Sequence, residues 1–384
     1  MGKPTLVPIT PSVLSWAIGE SGYSVSALAK KLRVPPDKIQ SWALGSSEPK
    51  LTEFRKLANV LKRTPATFLL PEQPQRPAPA VEFRRPHGVK RDALNPTERH
   101  YLREARRLQD ILIWVQDELG KTAQTLPHIL TQIDPETAAT RVREGLTPHL
   151  PRTKSAWSTS TAAFRSYRAA LEQLGVLIFS FPLGRDSVRG FSLWHEHAPA
   201  IAVNTAWRTE ARTYTLFHEF GHLLTRTASA CLEAARRFAY PSDSIERWCE
   251  EFSAAILLPR DEVEAFLTKE LRWSFNVRIE DLNVPSQIAE RFKVSLRAAT
   301  LRLIEMRLAT WDLYAEIPPV ADNKPRGGGG RGRERGKIRE QQYGDRAVQL
   351  FVTALKRDLL GRTDVLDALD ISDLDLSKLE HKST

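Results

Sequence analysis

"TLFHEFGHLL", residues 215–224, is the stretch whose reading decides the rest of the chain. Placed on a helix, His218 and His222 are four residues apart and stack on one face. Their imidazoles can then grip a single cation from one rigid element. Glu219 is turned about 100° away, so it can lean over the ion and take a proton without being a ligand. The plain alternative is a buried helix whose histidines are hydrogen-bonded core residues. The HExxH spacing is the arrangement used by zinc peptidases. Zinc wants three protein ligands and one open position, so two histidines are not enough.

The third ligand is expected from a second helix crossing the first. Glu246, in "IERWC", follows His222 by 24 residues. Pro241, Ser242, Asp243 and Ser244 are good helix-entry residues, which predicts a helix starting near 243 and stopped by Pro259. On it Glu246 and Glu250 share a face. Glu246 is the first choice and Glu250 the second. His195 and His197, in "WHEHAP", are further ligand sources, but a solvated turn explains them as well.

Upstream of the motif, "GVLIFSF" (175–181), "GFSLW" (190–194) and "AIAVN" (200–204) are short, β-favouring and separated by turn-formers. They predict three strands of one small sheet, with "AIAVN" as an edge to which an extended peptide can add. "ERHYLREARRLQDILIWVQDELG" predicts a long amphipathic helix ended by Gly120, and "PSQIAERFKVSLRAATLRLIEM" (285–306) a helical pair.

Residues 1–70 have a different rhythm. Val25, Leu28, Ala29 and Leu32 form one helical stripe, "RVPPD" breaks it, and Ile39 and Trp42 point inward from the next helix. Phe54, Leu57, Ala58 and Leu61 mark a further helix. The pattern is that of a helix-turn-helix, with Ser26, Lys38, Gln40 and Ser41 outward as candidate DNA contacts. This segment carries ten Lys/Arg against four Asp/Glu, which supplies attraction to phosphates. A plain helical bundle with a basic face is the alternative.

The net charge of +10 fits a polyanionic partner without naming one. Two cysteines, Cys231 and Cys249, exclude a disulfide scaffold and fit a reducing cytoplasm. The N-terminus has no apolar h-region of a secretory signal, and no run approaches eighteen uninterrupted apolar residues, so no membrane partner is expected.

With both motifs in view, residues 9–70 resemble a Cro/C1-type (XRE) helix-turn-helix. Residues from about 95 to 308 resemble the ImmA/IrrE family of metallo-endopeptidases, through "RGFSL", "AIAVN", "TLFHEFGHLL", "ERWCEEFSAAILLP" and "IAERFKVSLRAATLRL". The resemblance implies a mainly α, α+β chain: an all-α helix-turn-helix domain, then a gluzincin-like zinc-peptidase domain with a small mixed β-sheet. It implies Zn2+ held by His218, His222 and Glu246, with Glu219 as catalytic acid/base. It also implies a regulator that binds double-stranded DNA through residues 1–70. Its protein substrate would be a helix-turn-helix repressor controlling stress-response, mobile-element or toxin–antitoxin genes. The alternative is a transcription regulator whose peptidase-like domain senses or docks a partner without cutting it.

Two departures from the family stand out. Glu250 occupies a position usually held by Asn, and Ala43 one often held by Glu. Arg212, Arg208 and Tyr214 are candidate oxyanion helpers. The expected division is 1–70 for the DNA-binding domain, 71–94 for a Pro-rich linker and 95–320 for the peptidase domain. A Gly/Arg-rich flexible linker over 321–340 and a small helical appendage over 341–384 complete it.

Overall fold

The computed structural model describes residues 5–74, 94–120, 125–151, 157–185, 187–227, 230–231, 244–274, 277–318 and 335–382. Most of the stretches read as linkers, 71–94 and 321–340, lie outside these residues, as do Pro241, Ser242 and Asp243. The chain is mainly helical with one small mixed sheet. It divides into two units, the first taking the described residues up to Glu104 and the second those from Ala105. No described helix is long and apolar enough to cross a membrane.

The first unit holds α1 (Pro11–Ser21), α2 (Val25–Leu32), α3 (Pro36–Ala43) and α4 (Leu51–Leu61). Each start has a local cause. Proline opens α1 and α3, where its missing N–H costs nothing. The Ser24 hydroxyl caps α2 by accepting from the Ala27 N–H at 3.1 Å. Arg33 adopts a left-handed conformation (φ 60°) and closes α2, and Val34 N–H then returns to Ala29 O at 3.1 Å. Only three residues therefore separate α2 from α3. Leu14, Leu28, Ile39, Trp42, Leu57 and Phe68 are fully buried together, so the predicted stripes do form this unit's core.

The unit boundary falls within α5 (Pro96–Glu118). The second unit continues with α6 (Pro135–Leu146), α7 (Ser160–Gln173), β1 (Leu177–Phe181), β2 (Gly190–Leu193), β3 (Ala200–Asn204) and α8 (Thr209–Leu224). After β4 (Ala230–Cys231) come α9 (Ser244–Leu257), α10 (Arg260–Ala265), α11 (Asn283–Phe292), α12 (Leu296–Glu305) and α13 (Trp311–Ala315). The last elements are α14 (Arg335–Tyr343), α15 (Asp345–Lys356), α16 (Arg362–Leu369) and α17 (Asp373–Lys382). α14 thus begins inside the stretch read as a Gly/Arg-rich linker.

The sheet order is β1-β3-β2-β4. β1 pairs parallel with β3, Leu177 opposite Ala200, and β2 pairs antiparallel with β3, Gly190 opposite Val203. This corrects one expectation. "AIAVN" is an interior strand whose two edges are both taken, because the parallel partner β1 occupies the side that a peptide would need. On the far side of β2 the sheet ends in two-residue β4, which pairs with Gly190 and Phe191 only. Every residue of β1, β2 and β3 is buried, so both faces of the sheet are covered.

α8 packs on β2 and β3, with α7 and α9 beside it. Its Leu216, Phe217, Phe220, Leu223 and Leu224 are fully buried or nearly so, each contributing about 1.5–3 kcal/mol by leaving water. The C-terminal helices α14 and α15 pack on β1. A polar joint helps hold them: Arg168 pairs with Glu172 at 3.0 Å and donates to the carbonyls of Ile178 and Gln341. Gly344, at φ 89°, lets the α14–α15 corner sit against Glu172 and Arg168, where a Cβ would collide with both.

Candidate metal centre

The centre is made where α8 meets α9. Gly221 faces Cys249, and a Cβ at 221 would lie 3.1 Å from the Cys249 Sγ, so the missing side chain lets α9 approach closely. Glu246 lies one turn before Cys249 and so comes opposite the histidines of α8. Trp248 stacks on Phe252 at 5.1 Å and donates from Nε1 to Ile133 O at 2.8 Å, which fixes the rotation of α9.

His218, His222 and Glu246 form a group whose ligand atoms all lie within 4.8 Å of one another. His218 Nε2 is 3.1 Å from Glu246 Oε2 and 3.1 Å from His222 Nε2. His222 Nε2 is 3.3 Å from Glu246 Oε1. Zinc–nitrogen and zinc–oxygen bonds of 2.0–2.1 Å give a tetrahedron edge of about 3.3 Å, so these three donors are spaced as one face of a zinc site. His218, Glu219 and His222 are 3 %, 0 % and 1 % exposed, whereas the Glu246 side chain is 30 % exposed and marks the solvent side. Two imidazoles and one carboxylate are a borderline-to-hard donor set suited to zinc.

The electrostatics agree with a cation site. Burial works to raise the Glu246 carboxyl, but the hydrogen bonds and charges of His218 and His222 outweigh it and hold the group well below the usual carboxylate range. Burial works to lower His222, yet Cys249 and Glu246 pull it well above an ordinary histidine. His218 is lowered, chiefly by burial and with His222 adding to it. The group therefore draws positive charge inward, and a metal ion is one way to supply it.

Glu219 runs beneath β2. A Cβ at Gly190 would lie 2.6 Å from Thr215 Cγ2, 2.7 Å from Ala202 O and 3.3 Å from Glu219 Cγ, so only glycine lets the strand pass here. Glu250 is outside the three-residue group. Its backbone carbonyl accepts from the Tyr214 hydroxyl at 2.9 Å, and its charge acts on His218. Arg212 donates to Thr209 Oγ1 at 2.8 Å and lies over Phe164, while Arg208 is exposed at the start of α8. His195 and His197 stay in the β2–β3 turn, their rings 5.8 Å apart, and do not join the group.

Sequence reasoning missed Gly221, Cys249 and the threonines that follow α8. His222 Nδ1 lies 2.9 Å from Thr227 Oγ1, which lies 2.8 Å from Thr225 Oγ1. "TRT" after a helix carries no motif, so its only signal is proximity to HExxH.

In the first unit, Ser26 and Gln40 are exposed. Lys38 is bonded to Glu53 at 2.6 Å and reaches over the Trp42 ring. The Ser41 hydroxyl donates to Asp37 O at 2.9 Å.

The IrrE N-terminal-like domain profile of the Peptidase_M78 family matches residues 171–303. The matched stretch runs from the end of α7 into α12 and contains His218, Glu219, His222 and Glu246. It supports a resemblance to ImmA/IrrE metallopeptidases and, with the three-residue group, points to a metal cofactor. It does not reach the first unit. Comparison with curated proteins gives no match.

Proposed function

We propose that the chain is a zinc-dependent endopeptidase of narrow specificity, with a DNA-binding first unit and a cytoplasmic regulatory role. The observation that carries the reading is the donor triangle of 3.1, 3.1 and 3.3 Å beside a fully buried Glu219. His218, His222 and Glu246 would hold the ion, with the partly exposed Glu246 on the solvent side. When bound, zinc supplies Lewis-acid polarisation of the scissile carbonyl and makes water a stronger acid. Glu219 takes the proton from the attacking water and passes it to the leaving amine. The outer edge of β2, beyond the two residues paired with β4, accepts the substrate backbone as an added strand.

The substrate class follows from the company the domain keeps. A helix-turn-helix unit on the same chain brings the peptidase to a promoter, where a helix-turn-helix repressor is the available target. Exposed Ser26 and Gln40 on the two short helices, with the excess of cations over residues 1–70, support double-stranded DNA as the partner.

The test is Glu219→Gln in the full chain, assayed against repressors encoded beside it. Zinc content by metal analysis stays at the wild-type level, and cleavage falls about 10²–10⁴-fold. Equal cleavage by the variant removes Glu219 from the chemistry. A second reading, a sensor or docking module that does not cut, is favoured by the closure of the centre, with three of its four side chains at most 3 % exposed. No cleavage of any neighbouring repressor by zinc-loaded wild type, together with tight binding of one of them, would select it.

A further inference from the structure

We infer that Thr227 and Thr225 form a hydroxyl relay that fixes His222 as the Nδ1–H tautomer and aims its Nε2 lone pair at the metal; this rests on the metal reading above. The two histidines differ in their support. His218 Nδ1 is buried and has no hydrogen-bond partner among the described residues. His222 Nδ1 is 2.9 Å from Thr227 Oγ1, Thr227 Oγ1 is 2.8 Å from Thr225 Oγ1, and Thr225 Oγ1 is 3.0 Å from Gly221 O.

The far end and the ligating Nε2 together set the direction of the chain. A backbone carbonyl only accepts, so the Thr225 hydrogen is spent on Gly221 O or on His222 O at 3.3 Å. The Thr225 oxygen then accepts from Thr227. Thr227 can instead turn its hydrogen to His222 O at 3.5 Å or to His222 Nδ1 itself. Unless it takes the last course, the Thr227 oxygen is left as an acceptor facing His222 Nδ1. Ligation decides between these: a neutral imidazole that offers Nε2 to the metal carries its hydrogen on Nδ1 and donates it to Thr227.

The backbone serves the same end. α8 stops at Leu224, Arg226 turns left-handed at φ 57°, and Thr227 N–H donates to His222 O at 2.9 Å. The chain thus curls back by one turn and sets the Thr227 hydroxyl against the ring it orients. Cys249 also bonds to His222 and acts on its charge. Thr227 is a positioning residue: it touches the ligand, not the substrate.

The test uses the full-length protein and Zn2+ alone, in competition with a chromophoric chelator. Thr227→Val is expected to weaken zinc binding by about 10–100-fold, the usual effect of losing the outer partner of a ligating histidine. Thr227→Ser, which keeps the hydroxyl, restores affinity close to wild type. Thr225→Val weakens it less, because Thr227 can turn its hydrogen to His222 O. Circular dichroism of each metal-free variant checks the fold, and Thr227→Ala replaces the valine variant if that one misfolds. Wild-type affinity in a folded Thr227→Val or Thr227→Ala protein overturns the relay, as does failure of serine to rescue. A wild-type protein that takes up no zinc overturns the metal reading and the relay with it. Zinc uptake with unchanged affinity in the variants removes the relay only.

Discussion

At the centre of the second unit His218, Glu219 and His222 are almost out of reach of water, while on α2 and α3 of the first unit the outward residues Ser26 and Gln40 stand exposed. The two regions carry the two motifs of the sequence, yet they are determined differently. A buried polar atom must find a partner or cost about 1–3 kcal/mol, so three ligand atoms within 4.8 Å leave little freedom in what they bind. An exposed side chain satisfies itself with water or with a neighbour, as Lys38 does with Glu53 at 2.6 Å. Burial turns a spacing in sequence into a geometry. Exposure leaves it a list of candidates.

The largest effect that could break this contrast is at Glu246. On the proposed zinc reading, Glu246→Ala takes away one of three ligands, and zinc content by metal analysis falls to near zero, whereas Glu250→Ala retains the ion. Loss in Glu250→Ala with full occupancy in Glu246→Ala would mean that the triangle is a hydrogen-bonded cluster and not a ligand set.

A smaller effect is expected at Gly190, which tests whether the centre is as closely built as its burial implies. Alanine there meets Thr215 and the Ala202 carbonyl at 2.6 and 2.7 Å. Strand β2 must lift away, at about 1–3 kcal/mol of stability by overpacking. Denaturant unfolding of Gly190→Ala measures it. A midpoint equal to wild type would show that the strand yields, and that glycine at 190 is not required by the close passage over Glu219.

How much of this was legible follows the same line. His218 and His222 were readable because four-residue spacing on a helix is itself a distance. Glu246 was readable as a candidate because Ser244 starts a helix and the turn of 3.6 residues sets its face. The sheet order was not, since β1, β2 and β3 are all apolar and nothing local tells which is central; the parallel pairing of β1 with β3 goes with different neighbours, α8 on β2 and β3 and α14 and α15 on β1. Thr227 was invisible because its role depends on a left-handed residue, Arg226, that no motif marks. The docking of α14 on β1 joins Arg168 and Glu172 of α7 to Gln341 and Gly344, more than 160 residues later in the sequence.

The first unit has a partly buried titratable group of its own, His100, and it offers a test by pH. Burial, with Arg103 and Lys62 adding to it, pushes its pKa down to about 4 against a pull upward from Glu104. The folded state therefore keeps His100 neutral, while the unfolded chain protonates near pH 6.5. Below about pH 6.5 the unfolded state binds more protons, so stability falls as pH drops from about 6.5 to 4 and levels off beneath. Allowing for partial exposure, about 1–2 kcal/mol is at stake. Urea midpoints of wild type and His100→Gln should converge at pH 5 relative to pH 7.5. Parallel curves would remove His100 as the cause.

The smallest effect is expected where the contrast is weakest, at Lys38. It was a candidate DNA contact, but its ammonium is already bonded to Glu53 and leans over Trp42. The pair is partly exposed, so its loss costs at most about 1 kcal/mol of stability. A lysine that neutralises a DNA phosphate lowers the salt slope of binding by about one when removed. Lys38→Met should therefore leave the slope of log affinity against log salt nearly unchanged, whereas Gln40→Ala should cost about 1–3 kcal/mol on the cognate site and little on random DNA. A fall of about one in the Lys38→Met slope would mean that Glu53 releases the lysine when DNA arrives. The exposed face would then be less settled than its free-state pairing shows, and the difference between the two regions wider still.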